Sequence, residues 1–366
     1  MTRPLSIIPV LGMPEVRRGD DVAVLLVAAL GEVALEPGDV VVVSSKIASK
    51  ALGLNAVGSD KSELVLGESV RVVAERASGD RVTRVVEAKA GPVMAAAGID
   101  ASNTGPSELL LLLPRDPDAC ARTLRSGLLS LSGMPPSAPL AVVLSDTAGR
   151  PWRAGLTDFA LGAAGLRVLL DHRGEVDADG RLMSVTARAV ADEIAAAADL
   201  VKGKADGVAA AVVRGLPESW FLEPSDSAAG EVGDEFASGA RGLVRTGSGD
   251  WFALGNVEAL RQALGVAPGT ADSVAVGIRS VGAEPFGTRV ARVVSLTLFA
   301  DEDASVDLEI DEEISATVTL GATDDYALGR LSQRLEIAAA SEDLHVTVTG
   351  EPTAEHTVTA TLSPTP

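Results

Sequence analysis

At 366 residues, 46% apolar and 22% charged, the chain has the composition of a globular protein with room for two or three domains. A net charge of −20 argues against nucleic acid or an anionic membrane surface as a bulk partner, and no segment approaches the roughly 20 apolar residues of a membrane span. The single cysteine, Cys120, excludes an intrachain disulfide and a Cys-based zinc site, and His172, His345 and His356 are too scattered for a His-rich metal site, so a cytoplasmic location is expected.

In chain order, "LSIIPV" (5–10) predicts a strand. "GMPEVRRGDD" (12–21), fixed by Pro14 and Gly19, is either a ligand-facing loop or a connector ahead of a helix over 20–31. "DVVVVSSK" (39–46) follows a Pro-Gly-Asp turn and predicts a second strand. Just after it, "SSKIASK" (44–50) places Lys46 and Lys50 at i and i+4, on one face of a helix whose amino terminus suits phosphate. They are either phosphate ligands or solvated surface lysines. "RVVEAKAGPVMAA" reads as strand. "AAAGIDASN" (95–103) follows, where Asp100 is either a metal carboxylate or the head of an Asx-turn. "DPDACARTLRSGLLSL" (116–131) predicts a helix capped by Asp116 or Asp118.

The apolar run "AVVLSD" predicts a strand ending in the knot "SDTAGRPWR". Asp146 is an oxygen donor for a hard cation such as magnesium, the Thr147 hydroxyl extends that set, and Arg150 and Arg153 suit phosphate or carboxylate. A tight turn with surface ion pairs is the alternative. "VTARAVADEIAAAADLVKGK" is the clearest helix, with Val190, Ile194, Ala197 and Val201 on one face. "VAAAVVRG" (208–215) reads as a buried strand, 216–250 as a loop, and "WFALGNVEALRQALGV" (251–266) as a short helix. Beyond "APGTAD" the runs "SVAVGIRSV", "RVVSLTLFA", "SVDLEI", "SATVTLG", "LHVTVTG" and "HTVTATL" alternate like strands, with one helix at about 324–341. The expected organisation is a mixed α/β domain over 1–260 and a small acidic α+β domain over 268–366 with a mostly antiparallel sheet.

All six lysines precede residue 205, whereas the stretch from Ala267 onward has five arginines against 17 acids. Anion chemistry therefore belongs to the first 250 residues. No GxxxxGK[ST] is present, and "GSGDWFALG" fails the GxGxxG spacing.

Taken together, "MPEVRRGDD", "GDVVVVSSKIASK", "AGIDASN", "LLPRDPDACA", "SDTAGRPWRAGLTDFALGAAG" and "VTARAVADEIAAAADLVKGK" resemble the coenzyme F-420:gamma-L-glutamyl ligase family, over about residues 5–260. The resemblance implies a mixed α/β fold that is neither P-loop nor ATP-grasp, and a homodimer. It implies a GTP-dependent amide ligase of coenzyme F-420 biosynthesis, which joins L-glutamate to the carboxylate of a deazaflavin precursor through an acyl phosphate and then adds gamma-linked glutamates. By position it implies Met13, Pro14, Glu15, Val16, Ser45, Lys50 and Asn103 as GTP contacts. Asp100 and Asp146 become ligands of Mg2+ or Mn2+, with Thr147 beside them on a second metal and K+ a further candidate ion, and Asp100, Asp146 and Arg150 become catalytic. Archaeal members carry an acid, a second-metal ligand, where Lys204 stands here. The tail is too short for the flavin-binding domain of some actinobacterial relatives, so no FMN is expected. A regulatory relative that binds nucleotide or deazaflavin without catalysis, or a ligase for another carboxylate cofactor, is the alternative.

Overall fold

The computed structural model describes residues 4–57, 60–101, 109–222, 239–247, 250–311 and 314–365. In chain order its elements are β1 (Ser6–Val10), α1 (Val22–Leu30), β2 (Val40–Ser44), α2 (Ser45–Leu52), β3 (Asn55–Val57), α3 (Lys61–Gly67), β4 (Ser69–Ser78) and β5 (Arg81–Ala88). Next come β6 (Val93–Ala95), β7 (Leu109–Leu111), α4 (Pro117–Leu131), β8 (Ala141–Arg150), β9 (Arg153–Ala164), β10 (Leu170–Asp171), β11 (Ala187–Arg188), α5 (Val190–Lys202) and β12 (Ala210–Arg214). The remainder holds α6 (Asn256–Ala263), α7 (Ala271–Val276), α8 (Phe286–Leu298), β13 (Ser305–Asp311), β14 (Ser315–Gly321), α9 (Asp325–Ser341), β15 (Leu344–Val348) and β16 (Thr357–Pro364). They group into two compact units: residues 1–60 with 88–249, and residues 61–87 with 250–366.

The first unit is built on a five-stranded sheet in the order β1-β12-β2-β8-β9, in which β2 and β8 run parallel and the other neighbours antiparallel. Four consecutive valines in β2 are fully buried, and only a strand covered on both faces can hide such a run. Val41 and Val43 pack with Leu26 of α1 and Leu124 and Leu128 of α4, while Val40 and Val42 pack with Ile194, Ala195 and Ala198 of α5. Helices thus cover both faces. Asp21 caps α1 by accepting the Ala23 and Val24 N–H groups, and Asp116 caps α4 through the Ala119 N–H at 2.8 Å. At Gly162 a Cβ would lie 2.5 Å from the Pro117 carbonyl carbon, so only glycine lets β9 approach α4 this closely.

The second unit pairs the β4–β5 segment and α3 with α6–α9 and an all-antiparallel sheet in the order β13-β14-β16-β15. Val290, Val293 and Leu296 of α8 and Leu328, Leu331 and Leu335 of α9 meet Val318, Leu320, Ala360 and Leu362 of that sheet. Below them Glu342, fully buried, accepts from Arg261 at 2.7 Å and Arg292 at 2.8 Å, and Arg292 also grips Glu284 at 2.8 and 2.6 Å.

Several sequence expectations change. "SDT" does not end its strand: β8 continues to Arg150, so Asp146 and Thr147 lie within a long hairpin arm. The buried face of α5 runs Val190, Ala191, Ile194, Ala195, Ala198 and Lys202, one position away from the expected Ala197 and Val201 at its second half. "SVAVGIRSV" contributes α7, and "RVVSLTLFA" lies mainly in α8. Phe286, Val290, Val293 and Leu296 recur at helical intervals of 4, 3 and 3, and tertiary packing prefers that period to the β-branched composition. The four remaining tail runs are strands and 325–341 is helix.

Candidate active site

The parallel pairing of β2 with β8 ends with Ser44 opposite Ser145; the chain then turns into α2 after β2, while β8 runs on in its hairpin with β9. Open α/β sheets bind ligands at the carboxyl ends of such strands. A cavity of about 780 Å³ lies here. It is lined by Met13–Val16 after β1, Lys46 and Lys50 of α2, Asp100, Asp146 and Thr147 of β8, Asp158 of β9, and Lys202 and Lys204.

Each side chain is aimed by a local cause. α2 starts at Ser45 directly after the strand, so Lys46 lies in its first turn beside the N–H groups of its amino end and Lys50 in the turn that follows. Lys50 meets Glu15 of the loop after β1 at 2.5 Å, and Lys46 meets Asp100 at 2.7 Å. Asp100 follows three successive left-handed residues, Ala96 (φ 53°), Ala97 (φ 54°) and Gly98 (φ 70°). Two alanines in that region are strained, and strain of this kind clusters where a side chain must be aimed. The Asp100 backbone is then held by Leu111 through bonds of 3.1 and 2.8 Å.

Asp146 accepts the Ser45 hydroxyl at 3.2 Å. Burial pushes its carboxyl up to about 6; the Thr147 N–H and Ser45 hydroxyl oppose the rise, and the Asp158 and Asp100 carboxylates add to it. On the next strand Asp158, directly opposite Thr147, accepts the Thr147 hydroxyl at 2.6 Å and the Ser145 hydroxyl at 2.9 Å. Lys202 reaches Asp158 at 2.7 Å and Ser145 at 2.6 Å, with the lysine and aspartate each 4% exposed. Burial would raise the Asp158 carboxyl, but Lys202, Thr147 and Lys204 together hold it below its ordinary value. Lys204 bridges Thr147 (3.0 Å), Asp199 (3.0 Å) and Asp158 (3.3 Å).

Of the residues singled out from sequence, Met13, Pro14, Glu15, Val16, Lys50, Asp100, Asp146 and Thr147 line this one cavity. Ser45 is buried beside it against Asp146. Arg150 and Arg153 pair at the exposed tip of the β8–β9 hairpin and do not line the cavity. Asn103 lies outside the described residues. Sequence reasoning missed Asp158 and Asp199, and it marked Lys202 only as part of the cationic turn "KGKADG" that could touch phosphates. Lys202 carried a signal, because it continues the apolar stripe Ala191, Ala195, Ala198 with a charge; Asp158 shows itself only once the hairpin register is known.

Among the described residues no three His, Cys, Asp or Glu side chains form a ready metal cage. The hard oxygens of Asp100, Asp146 and Thr147, with mutually repelling carboxylates, fit instead an ion of the magnesium type, which takes one or two carboxylates and completes its shell with phosphate oxygens and water.

The sequence model for F420-0:Gamma-glutamyl ligase matches residues 54–215. The chain is also similar to three proteins named coenzyme F420:L-glutamate ligase. That of Methanothermobacter thermautotrophicus is 42% identical over 58% of this chain and 90% of its own length. That of Haloarcula marismortui is 41% identical over 57% and 87%, and that of Archaeoglobus fulgidus 39% over 58% and 88%.

Proposed function

The chain belongs to the F420-0:gamma-glutamyl ligase family, and from that premise we propose that it joins L-glutamate to the carboxylate of the coenzyme F420 precursor at the expense of GTP. As a family member it is a ligase of coenzyme F420 biosynthesis. The nucleotide, the metal and the order of bond changes are our reading of the cavity.

The observation that carries this reading is the convergence, where the parallel pairing of β2 with β8 stops, of a helix amino terminus, two lysines and two carboxylates with a hydroxyl. Lys46, Lys50 and the first N–H groups of α2 receive the anionic phosphates, and Met13–Val16 close the cavity over the nucleotide. Asp100 and Asp146 would hold Mg2+ or Mn2+, with the Thr147 hydroxyl beside them offered to a second ion, and the bound metal would neutralise phosphate charge. The acceptor carboxylate attacks the gamma-phosphorus, the bond to the beta-phosphate oxygen breaks and GDP leaves. The glutamate amine then attacks the acyl phosphate carbon, the C–N bond forms, a proton is lost from nitrogen and phosphate departs. Such transfers depend on positioning and charge neutralisation, so no Ser, Cys or His nucleophile is required. K+ remains a candidate accessory ion, and a homodimer the expected assembly.

The test is GDP release with GTP, Mg2+ or Mn2+, L-glutamate and the precursor, matched to a glutamate-sized gain in product mass. We expect release to require the precursor and to fall by at least about 100-fold in Asp146→Asn, the scale of about 3 kcal/mol for a lost charge-stabilising group. Tight GTP binding with no turnover would sink the ligase reading and favour a regulatory relative.

A further inference from the structure

Asp158 belongs to none of the site sets expected from sequence, yet in the cavity wall it accepts four side-chain hydrogen bonds. Its Oδ1 takes the Thr147 hydroxyl at 2.6 Å and the Lys204 ammonium at 3.3 Å; its Oδ2 takes the Ser145 hydroxyl at 2.9 Å and the Lys202 ammonium at 2.7 Å. A threonine hydroxyl has one proton and two lone pairs. The Thr147–Asp158 distance is that of an O–H donating to an ionised carboxylate, so the only Thr147 proton is committed to Asp158. What Thr147 has left is acceptor capacity. Lys204 already uses it at 3.0 Å, which shows the hydroxyl oxygen receiving a cation.

The arrangement follows from the hairpin. Ser145 and Thr147 alternate with Asp146 along β8 and so share one side of the strand, and the cross-strand register sets Asp158 directly opposite Thr147. Lys202, at the last buried position of α5, closes on the same carboxylate from the helix side and compensates its burial.

We propose that Asp158 is a positioning residue that fixes the Thr147 hydroxyl as a cation acceptor, with Lys202 as its buried counter-charge. This rests on the cation reading of the cavity given above. A purely structural Asp158–Lys202 pair would hold α5 against the hairpin and leave cation affinity untouched once the fold is intact.

The test titrates Mn2+ alone into the full-length chain, following the free ion by electron paramagnetic resonance. Asp158→Asn and Thr147→Val should each weaken binding about 10- to 100-fold, the usual cost of losing a group that orients a metal ligand, whereas Thr147→Ser should retain it. The double variant should bind no more weakly than either single one, because both remove the same oriented hydroxyl. Asp158→Asn alone strands a buried ammonium and can fail to fold. Asp158→Asn combined with Lys202→Met removes both charges, leaves the net charge unchanged and is checked by thermal unfolding. It should show the same weakening, which long-range charge then cannot explain. The proposal is overturned if this folded variant binds Mn2+ within about twofold of the wild type while Thr147→Val does not, or if the single losses multiply in the double variant. Wild-type protein that binds no Mn2+ would overturn the cation reading itself, and this proposal with it.

Discussion

Four of the six lysines in a chain of net charge −20 line one cavity, Lys46, Lys50, Lys202 and Lys204, and each is matched to a carboxylate: Asp100, Glu15, Asp158 and Asp199. The lysines divide by depth. Lys202 is sealed against its partner, while the Lys204 side chain is 62% exposed and joined to three oxygens that are themselves cation acceptors. The Glu15 side chain is 68% exposed and can return to water, so Lys50 can leave it for a phosphate at small cost. Lys50→Ala should therefore raise the Kd for GTP about tenfold, the worth of a charge-assisted hydrogen bond, with a smaller change in kcat, as equilibrium binding and steady-state kinetics would show. Lys204→Met should tighten Mn2+ binding by calorimetry, since it removes a tethered positive charge from the Thr147 oxygen.

Elements with sharp local signals were legible in the sequence. Asp116, one of the two caps expected, does cap α4, and the four valines of β2 announce a strand buried on both faces. Asp116→Ala should cost about 1 kcal/mol in a denaturant titration. Gly162→Ala should cost about 1–3 kcal/mol, because its methyl group meets the Pro117 backbone rather than a movable side chain. What stayed hidden depends on long-range pairing. "RVVSLTLFA" (292–300) is rich in valine, leucine and threonine and reads as a strand until α9 and the tail sheet supply a surface that rewards a period of 3.6. The reach of β8 past Asp146 was hidden for a similar reason. Its polar half is held by register with β9, and that same register creates the Thr147–Asp158 pair. Asp100, Asp146 and Thr147 were legible through family motifs; their convergence with Lys202 and Asp158 was not.

At the level of the whole chain, each unit has its own core. In the second unit burial pushes the Glu284 carboxyl up, but Arg292 and the Ser280 N–H outweigh it and hold it below its ordinary 4.5. The unfolded chain therefore binds the proton more readily, so the contribution is fully present above about pH 4.5 and is lost as pH falls through the lower folded value. Thermal unfolding from pH 6 to pH 3 should show the second unit weakening over that lower range. Arg292→Met should destabilise the same unit by about 3 kcal/mol at neutral pH, because it leaves buried carboxylate charge undercompensated. The assignment of residues 61–87 to this unit bears on how the protein is made. That segment leaves the ribosome about 160 residues before the stretch from Asp250 onward with which it packs. At about 5–20 residues per second its apolar strand waits roughly 8–30 s for its partners. During synthesis the vulnerable region is thus a short early hairpin rather than the late acidic tail. Arrested nascent chains ending before residue 250 should be cut first within 61–87, and longer ones should protect it.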